Sequence, residues 1–175
     1  MLTRDEALAL VATHLGSTSR ARHCLFVAYA MRRVAEHIGA DADSWEVVGL
    51  THDLDFNVTA GDRSRHGLVT VEWLSGRLPE DALSAIAAHD HRTGIHAETT
   101  VALGLRLCDA VAVVVALLGR TESADTFHSP DAARRLQTAC AQRPHLPQMI
   151  NELSARIDVP ISLFSTIARH GPAAS

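Results

Sequence analysis

The chain is predicted to be all-α, a single helical bundle, on three observations. Hydrophobic residues make up 47% of it, yet only four Phe, two Trp and one Tyr are present. A core of Leu, Val, Ile and Ala suits packed helices, whereas strands draw on aromatic and β-branched residues. Apolar residues recur at helical spacing along most of the chain. Val111 and residues 113–115 also fit a buried strand, but no second strand candidate exists to pair with them, so that stretch is read as helix.

The elements follow in order. Thr3-Arg4-Asp5-Glu6 is a capping box with Leu2, Ala7, Leu10 and Val11 behind it, opening a helix that ends near Gly16. Ser19 is expected to cap a longer helix to Gly39, with Val27, Ala30, Met31, Val34 and Ile38 on one stripe and His23 beside it. Asp43 or Ser44 is expected to cap a third helix that reaches His52, and residues 55–64 read as a loop. His66 should open a helix with Leu68, Val69, Val71, Trp73 and Leu74 as its apolar positions, closed by Gly76. Pro79 starts the next helix, which carries Leu83, Ile86 and Ala87 up to His89. After a loop at 91–96, a long apolar helix runs from Glu98 to Gly119 with Asp109 in its middle. Ser129-Pro130-Asp131 is a helix start, and Pro144, Pro147 and Pro160 divide the remainder into three short helices.

Length and charge narrow the function classes. A chain of 175 residues suits one domain. Its net charge is −4 and its pI about 6.2, without the basic footprint of a nucleic-acid binder. All 16 basic residues are Arg, so an anionic substrate must be gripped by arginine. Cys24, Cys108 and Cys140 have no paired spacing and read as reduced, buried thiols. The N-terminus lacks a basic-then-apolar signal order, and the uncharged run at 110–119 is too short to span a bilayer. A cytoplasmic protein without a membrane partner is expected; the oligomeric state stays open.

Eleven histidines are the anomaly. His52-Asp53 follows an apolar segment, residues 47–50, and a metal is one partner that satisfies imidazole and carboxylate together. His23 precedes the pair, His66 and His89 end or begin helices, and Asp109 stands alone in the most apolar segment. An unpaired carboxylate there costs several kcal/mol, so it needs a cation. Arg106, three residues earlier, is the plain alternative to a metal. His14, His37, His128, His145 and His170 read as surface residues, and His96 as a loop residue near the mouth of the site.

The order His23, His52-Asp53, Asp109 resembles the HD superfamily of metal-dependent phosphohydrolases. GLTHDLDF resembles its apolar His-Asp element, and HGLVTVEWL and AIAAHDHRTG resemble the two intervening histidine elements of its two-metal members. The likeness is greatest to compact HDIG-like hydrolases, and covers residues 19 to about 120. It implies an HD-type helical core over 1–120, with helices of 121–175 packed on the same domain. It implies one metal on His23, His52, Asp53 and Asp109, and a second on His66 and His89 with Asp53 bridging. Either His89 or His91 can be the last ligand by sequence; His89 is favoured because it continues the Leu83–Ile86 stripe.

Imidazole and carboxylate together suit Fe, Mn, Ni, Co or Zn rather than Mg or Ca. The expected activity is hydrolysis of a small, anionic, phosphorylated or nucleotide-like substrate by a metal-activated water. Asp53, Arg92 and Arg65 are the expected catalytic residues. Arg22, Arg63 and Arg106 are further charge candidates, and Asp55 and Thr93 candidate supports behind the ligands. The same ligand set resembles mixed-valent di-iron oxygenases, and a non-catalytic binding module is a third reading.

Overall fold

The computed structural model describes residues 2–174. Among them are ten α-helices, two short 3-10 turns and no strand. The helices are α1 (Arg4–Leu15), α2 (Ser19–Ile38), α3 (Ala42–Thr51), α4 (Leu68–Leu74) and α5 (Glu80–Ala88), then α6 (Thr100–Leu118), α7 (Arg120–His128), α8 (Ala132–Ala139), α9 (His145–Arg156) and α10 (Leu163–His170). The all-α expectation is met.

Local chemistry sets most boundaries. The capping box forms: Thr3 Oγ1 accepts from Glu6 N at 3.3 Å and Glu6 Oε2 from Thr3 N at 2.8 Å. The cap of α2 is Thr18 rather than Ser19, because its hydroxyl accepts from Ala21 N. Asp41, not Asp43 or Ser44, caps α3; one carboxylate oxygen takes both of their N–H groups, which makes them donors in the first turn. Pro147 divides nothing. It lies in the first turn of α9, where no N–H is needed. The polar α7 carries no strong apolar stripe and was not anticipated as a separate helix.

The expected face of α4 is largely wrong. Only Thr70 and Leu74 are buried, while Trp73 is exposed and stacks on His14 with ring centroids 4.5 Å apart. A helix of seven residues buries only one turn: Thr70 Oγ1 accepts from Asp55 N at 3.1 Å, and Leu74 joins the core.

Two glycines fix how closely the central helices meet. A Cβ on Gly49 of α3 would sit 2.6 Å from Ala28 Cα, so α2 and α3 touch backbone to backbone. A Cβ on Gly104 of α6 would sit 2.4 Å from the Trp45 ring. α6 is long and apolar enough to cross a membrane, with 19 residues at mean hydropathy 2.3, but 67% of that window is buried inside the bundle. One apolar cluster runs from Leu2 to Ala174 and takes in Phe26 of α2, Leu107 of α6, Ile150 of α9 and Phe164 of α10. Each such side chain contributes roughly 1.5–3 kcal/mol by leaving water. Cys24, Cys108 and Cys140 are free and buried.

Candidate metal centre

Five segments deliver six side chains to one point. His23 comes from the first turns of α2, and His52 and Asp53 from the C-terminal end of α3. His66 immediately precedes Gly67, the N-cap of α4. His89 is the C-cap of α5, and Asp109 projects from the middle of α6. His23, His52, Asp53, His66 and His89 are buried. Asp109 is not sealed in the core as expected: 29% of its side chain is exposed, on the wall of a cavity.

Asp53 is the hub. Its Oδ1 lies 2.8 Å from His66 Nε2 and 3.4 Å from His89 Nε2. Its Oδ2 lies 3.3 Å from His52 Nε2, 3.8 Å from His23 Nε2 and 2.7 Å from Arg20 Nη1. His23 Nε2 is 2.9 Å from Asp109 Oδ1, so Asp109 faces His23 and not Arg106. Two groups of ligand atoms result, His23–His52–Asp109 and Asp53–His66–His89, each within 4.8 Å of one another. Cys24 with His52 and Asp53 forms a third such group. Burial and the nearby Asp53 push the Cys24 thiol up, which disfavours the thiolate a metal would need.

Each of three histidines is held from behind. Nδ1 of His52 donates to Gly49 O at 2.8 Å and that of His89 to Ile86 O at 2.7 Å. A carbonyl only accepts, so these Nδ1 atoms carry the hydrogen and Nε2 points inward with its lone pair. His66 Nδ1 meets Asp55 Oδ1 at 2.8 Å. The second Asp55 oxygen accepts from Gly67 N at 2.7 Å and Thr70 N at 3.1 Å. Asp55 thus orients His66 and caps α4, whose own N-cap has no side chain. Gly67 is required there twice over: its φ is +86°, and a Cβ would fall 2.9 Å from His89 Cε1.

The site demands positive charge. Burial would raise the Asp53 carboxyl, but His52, His66 and His89 hold it well below the usual carboxylate range. Burial also opposes the lowered Asp109, and His23 overrides it. Burial would lower His66, yet the Asp53 and Asp55 carboxylates push it up to about 9; His89 rises against burial for the same reason, beside Asp53. Without a metal, protons supply the charge. A metal fits the same residues: His52 Nε2 is buried without a hydrogen-bond partner, buried His23 Nε2 has the Asp109 carboxylate beside it, and His66 Nε2 and His89 Nε2 converge to 3.4 Å. Nitrogen and carboxylate donors so placed suit a divalent transition metal.

The remaining candidates separate cleanly. His91 is exposed, so His89 alone joins the cluster. Arg65 does not line the cavity; it pairs with Glu72 at 3.0 Å, and the expectation that its segment carries it to the site fails. Arg92 lines the cavity but is forked onto Asp90, with Nε 2.9 and 3.0 Å from the two oxygens. Burial would raise Asp90, and Arg92 brings it down to about 2. Arg22 faces Ser17 O, and Arg63 donates to Phe56 O. Thr93 bonds Ala87 O and Asp90 O, which holds the loop after His89 and touches no ligand. His96 is exposed and outside the cavity lining, as are the exposed His37, His128 and His170 and the half-buried His14.

Two features escaped sequence reasoning. Arg20 reaches Asp53, with its guanidinium 3.7 Å from the centroid of Phe56. Its position three residues before His23, one turn along the same helix face, was the available signal. The second is the far wall of the cavity, of about 650 Å³, which comes from Arg143, His145, Leu146 and Met149 at the start of α9. His145 is exposed as expected, but it belongs to this wall.

The family model described as HD domain matches residues 20–117, more than half of the chain. The match takes in all six clustered residues and stops before α9. No curated protein and no solved structure matches the chain.

Proposed function

The chain belongs to the HD domain family of metal-dependent hydrolases, and on that premise we propose that it hydrolyses a small phosphorylated or nucleotide-like substrate. The observation that carries this reading is the division of one carboxylate between two ligand groups: Asp53 Oδ1 toward His66 and His89, Oδ2 toward His52 and His23. His23, His52 and Asp109 would hold one divalent transition metal and His66 and His89 a second, with Asp53 between them. Bound there, divalent ions supply a water activated near neutral pH and compensation for phosphoryl charge.

The chain's own groups do the rest. Hydrolysis joins a water oxygen to phosphorus and breaks the ester P–O bond, and the leaving oxygen takes up a proton. Arg20, pinned by Asp53 and Phe56 yet 30% exposed, presents charge to a phosphoryl group at the metal end. It takes the role expected of Arg65. Arg92, fixed by Asp90 at the cavity edge, is the second guanidinium on that side. The walls leave room for a ligand well beyond phosphate in size.

Phosphate release from a panel of phosphomonoesters and nucleotides, with protein reconstituted separately with Mn, Fe, Co, Ni and Zn, tests the reading. Release with at least one metal, lost in Asp53→Ala, is expected. No release with any metal, together with O2-dependent loss of substrate in the iron form, would transfer the site to oxygenase chemistry.

A further inference from the structure

The arginines of the cavity are not equivalent. Arg20 is held at the metal end by Asp53, and Arg92 is held by Asp90. Arg106 and Arg143 line the same cavity and, among the described residues, have no carboxylate within ion-pair distance. Arg106 lies one turn before Asp109 on α6, so it follows the same wall away from the metal end. Its one side-chain partner is the sulfur of Met149, at 3.7 Å, a weak acceptor for a permanent cation. The carboxylate on that side, Glu152, is engaged by Gln148 Nε2 at 2.7 Å. Leu146, at the start of α9, is an apolar residue of the same lining. A guanidinium stays charged at any ordinary pH and forks onto carboxylate or phosphate oxygens.

Resting on the hydrolase reading, we infer that the substrate carries two anionic groups. The scissile phosphoryl group lies at the Asp53 end, and a second carboxylate or phosphate lies between Arg106 and Arg143, joined by a short apolar spacer passing Leu146. Arg106 and Arg143, with His145 at the α9 entrance, determine specificity, and the helices beyond the matched family region supply half of the recognition. A monoanion would fill only the metal end of the roughly 650 Å³ space and leave the half-buried Arg106 and the exposed Arg143 without an anionic partner.

The test is calorimetric binding of three non-hydrolysable probes to the manganese-reconstituted full chain: butylphosphonate, 4-phosphonobutyrate and butane-1,4-bisphosphonate. At least tenfold tighter binding of one dianionic-ended probe over butylphosphonate is expected, and which one wins tells carboxylate from phosphate. Arg106→Gln and Arg143→Gln should each erase most of that preference, and Arg143→Lys should restore part of it. Arg134→Gln, exposed on α8 and paired with Asp131, is the charge control and should leave the preference intact. Equal binding of the three probes, or a preference that survives both glutamine variants, overturns the inference. Far-ultraviolet circular dichroism of each variant shows that it is folded, and a misfolded Arg106→Gln leaves the decision to Arg143→Gln. Binding is read without turnover, so a failed hydrolase assay and a failed second anion site give different results.

Discussion

Arg20 Nη1 lies 2.7 Å from Asp53 Oδ2, while 30% of the Arg20 side chain remains open to the cavity. One guanidinium therefore balances part of the Asp53 charge and faces whatever enters. Arg20→Gln is expected to keep the metal and to lower kcat/KM for a phosphomonoester on the order of 100-fold, the scale for losing a donor aimed at developing charge. Steady-state kinetics beside metal analysis check this; a variant with unaltered kcat/KM contradicts the role.

Asp55 works through His66 rather than on substrate: its Oδ1 lies 2.8 Å from His66 Nδ1. Asp55→Asn leaves size unchanged but weakens the hold on His66 Nδ1 and on the two N–H groups of α4. Metal affinity at the His66–His89 group should fall roughly 10–100-fold, and folding stability by about 1–3 kcal/mol. Competition with a chromogenic chelator reads the first and urea denaturation the second. Full metal affinity in the variant would show that Asp55 only caps α4.

A pH window follows from His66, whose two carboxylates overcome burial and take it from 6.5 to about 9 in the metal-free protein. A group raised on folding stabilises the fold fully below its unfolded value and loses that contribution as pH rises through its folded value. The metal-free melting temperature should therefore fall between pH 6.5 and about 9. The metal-loaded protein, in which His66 binds without its Nε2 proton, should lack that fall and release protons on loading near neutral pH. Thermal scans across the window with and without chelator decide it; a metal-free midpoint that rises there has the wrong sign.

Gly49→Ala places a methyl carbon 2.6 Å from Ala28 Cα and forces α2 from α3. Destabilisation of about 2 kcal/mol or more is expected from such overpacking, with weakened metal retention because His23 and His52 ride on the two helices. Denaturant midpoints and metal content should fall together. A stable variant with full metal content would mean the helix spacing does not set the His23–His52 geometry.

Much of this was legible in the sequence, for identifiable physical reasons. The stripe Val27, Ala30, Met31 and Val34 repeats at helical period, so α2 and its inward face follow from the residues alone. His52-Asp53 and Asp109 stood out because imidazoles and carboxylates are costly in apolar segments without a partner, while the set of six was named through the resemblance to the HD superfamily. Caps slipped by one to three residues, as at Asp41, because several neighbouring residues can accept the same N–H groups. Trp73 was misplaced because a seven-residue helix holds too few positions to declare a face. Arg20 and Arg65 exchanged importance because a long side chain's partner depends on tertiary neighbours, Phe56 and Asp53 in one case and Glu72 in the other. The α9 wall had no motif at all; only folding brings residues 143–152 opposite Asp109.

In the proposed site one carboxylate, Asp53, organises two metal positions. Elemental analysis of manganese- or iron-reconstituted protein after desalting, beside Asp53→Ala prepared identically, tests it most directly. Two ions per chain in the unaltered protein and fewer than one in the variant are predicted. No retained metal in the unaltered protein, or equal retention in both, would contradict it.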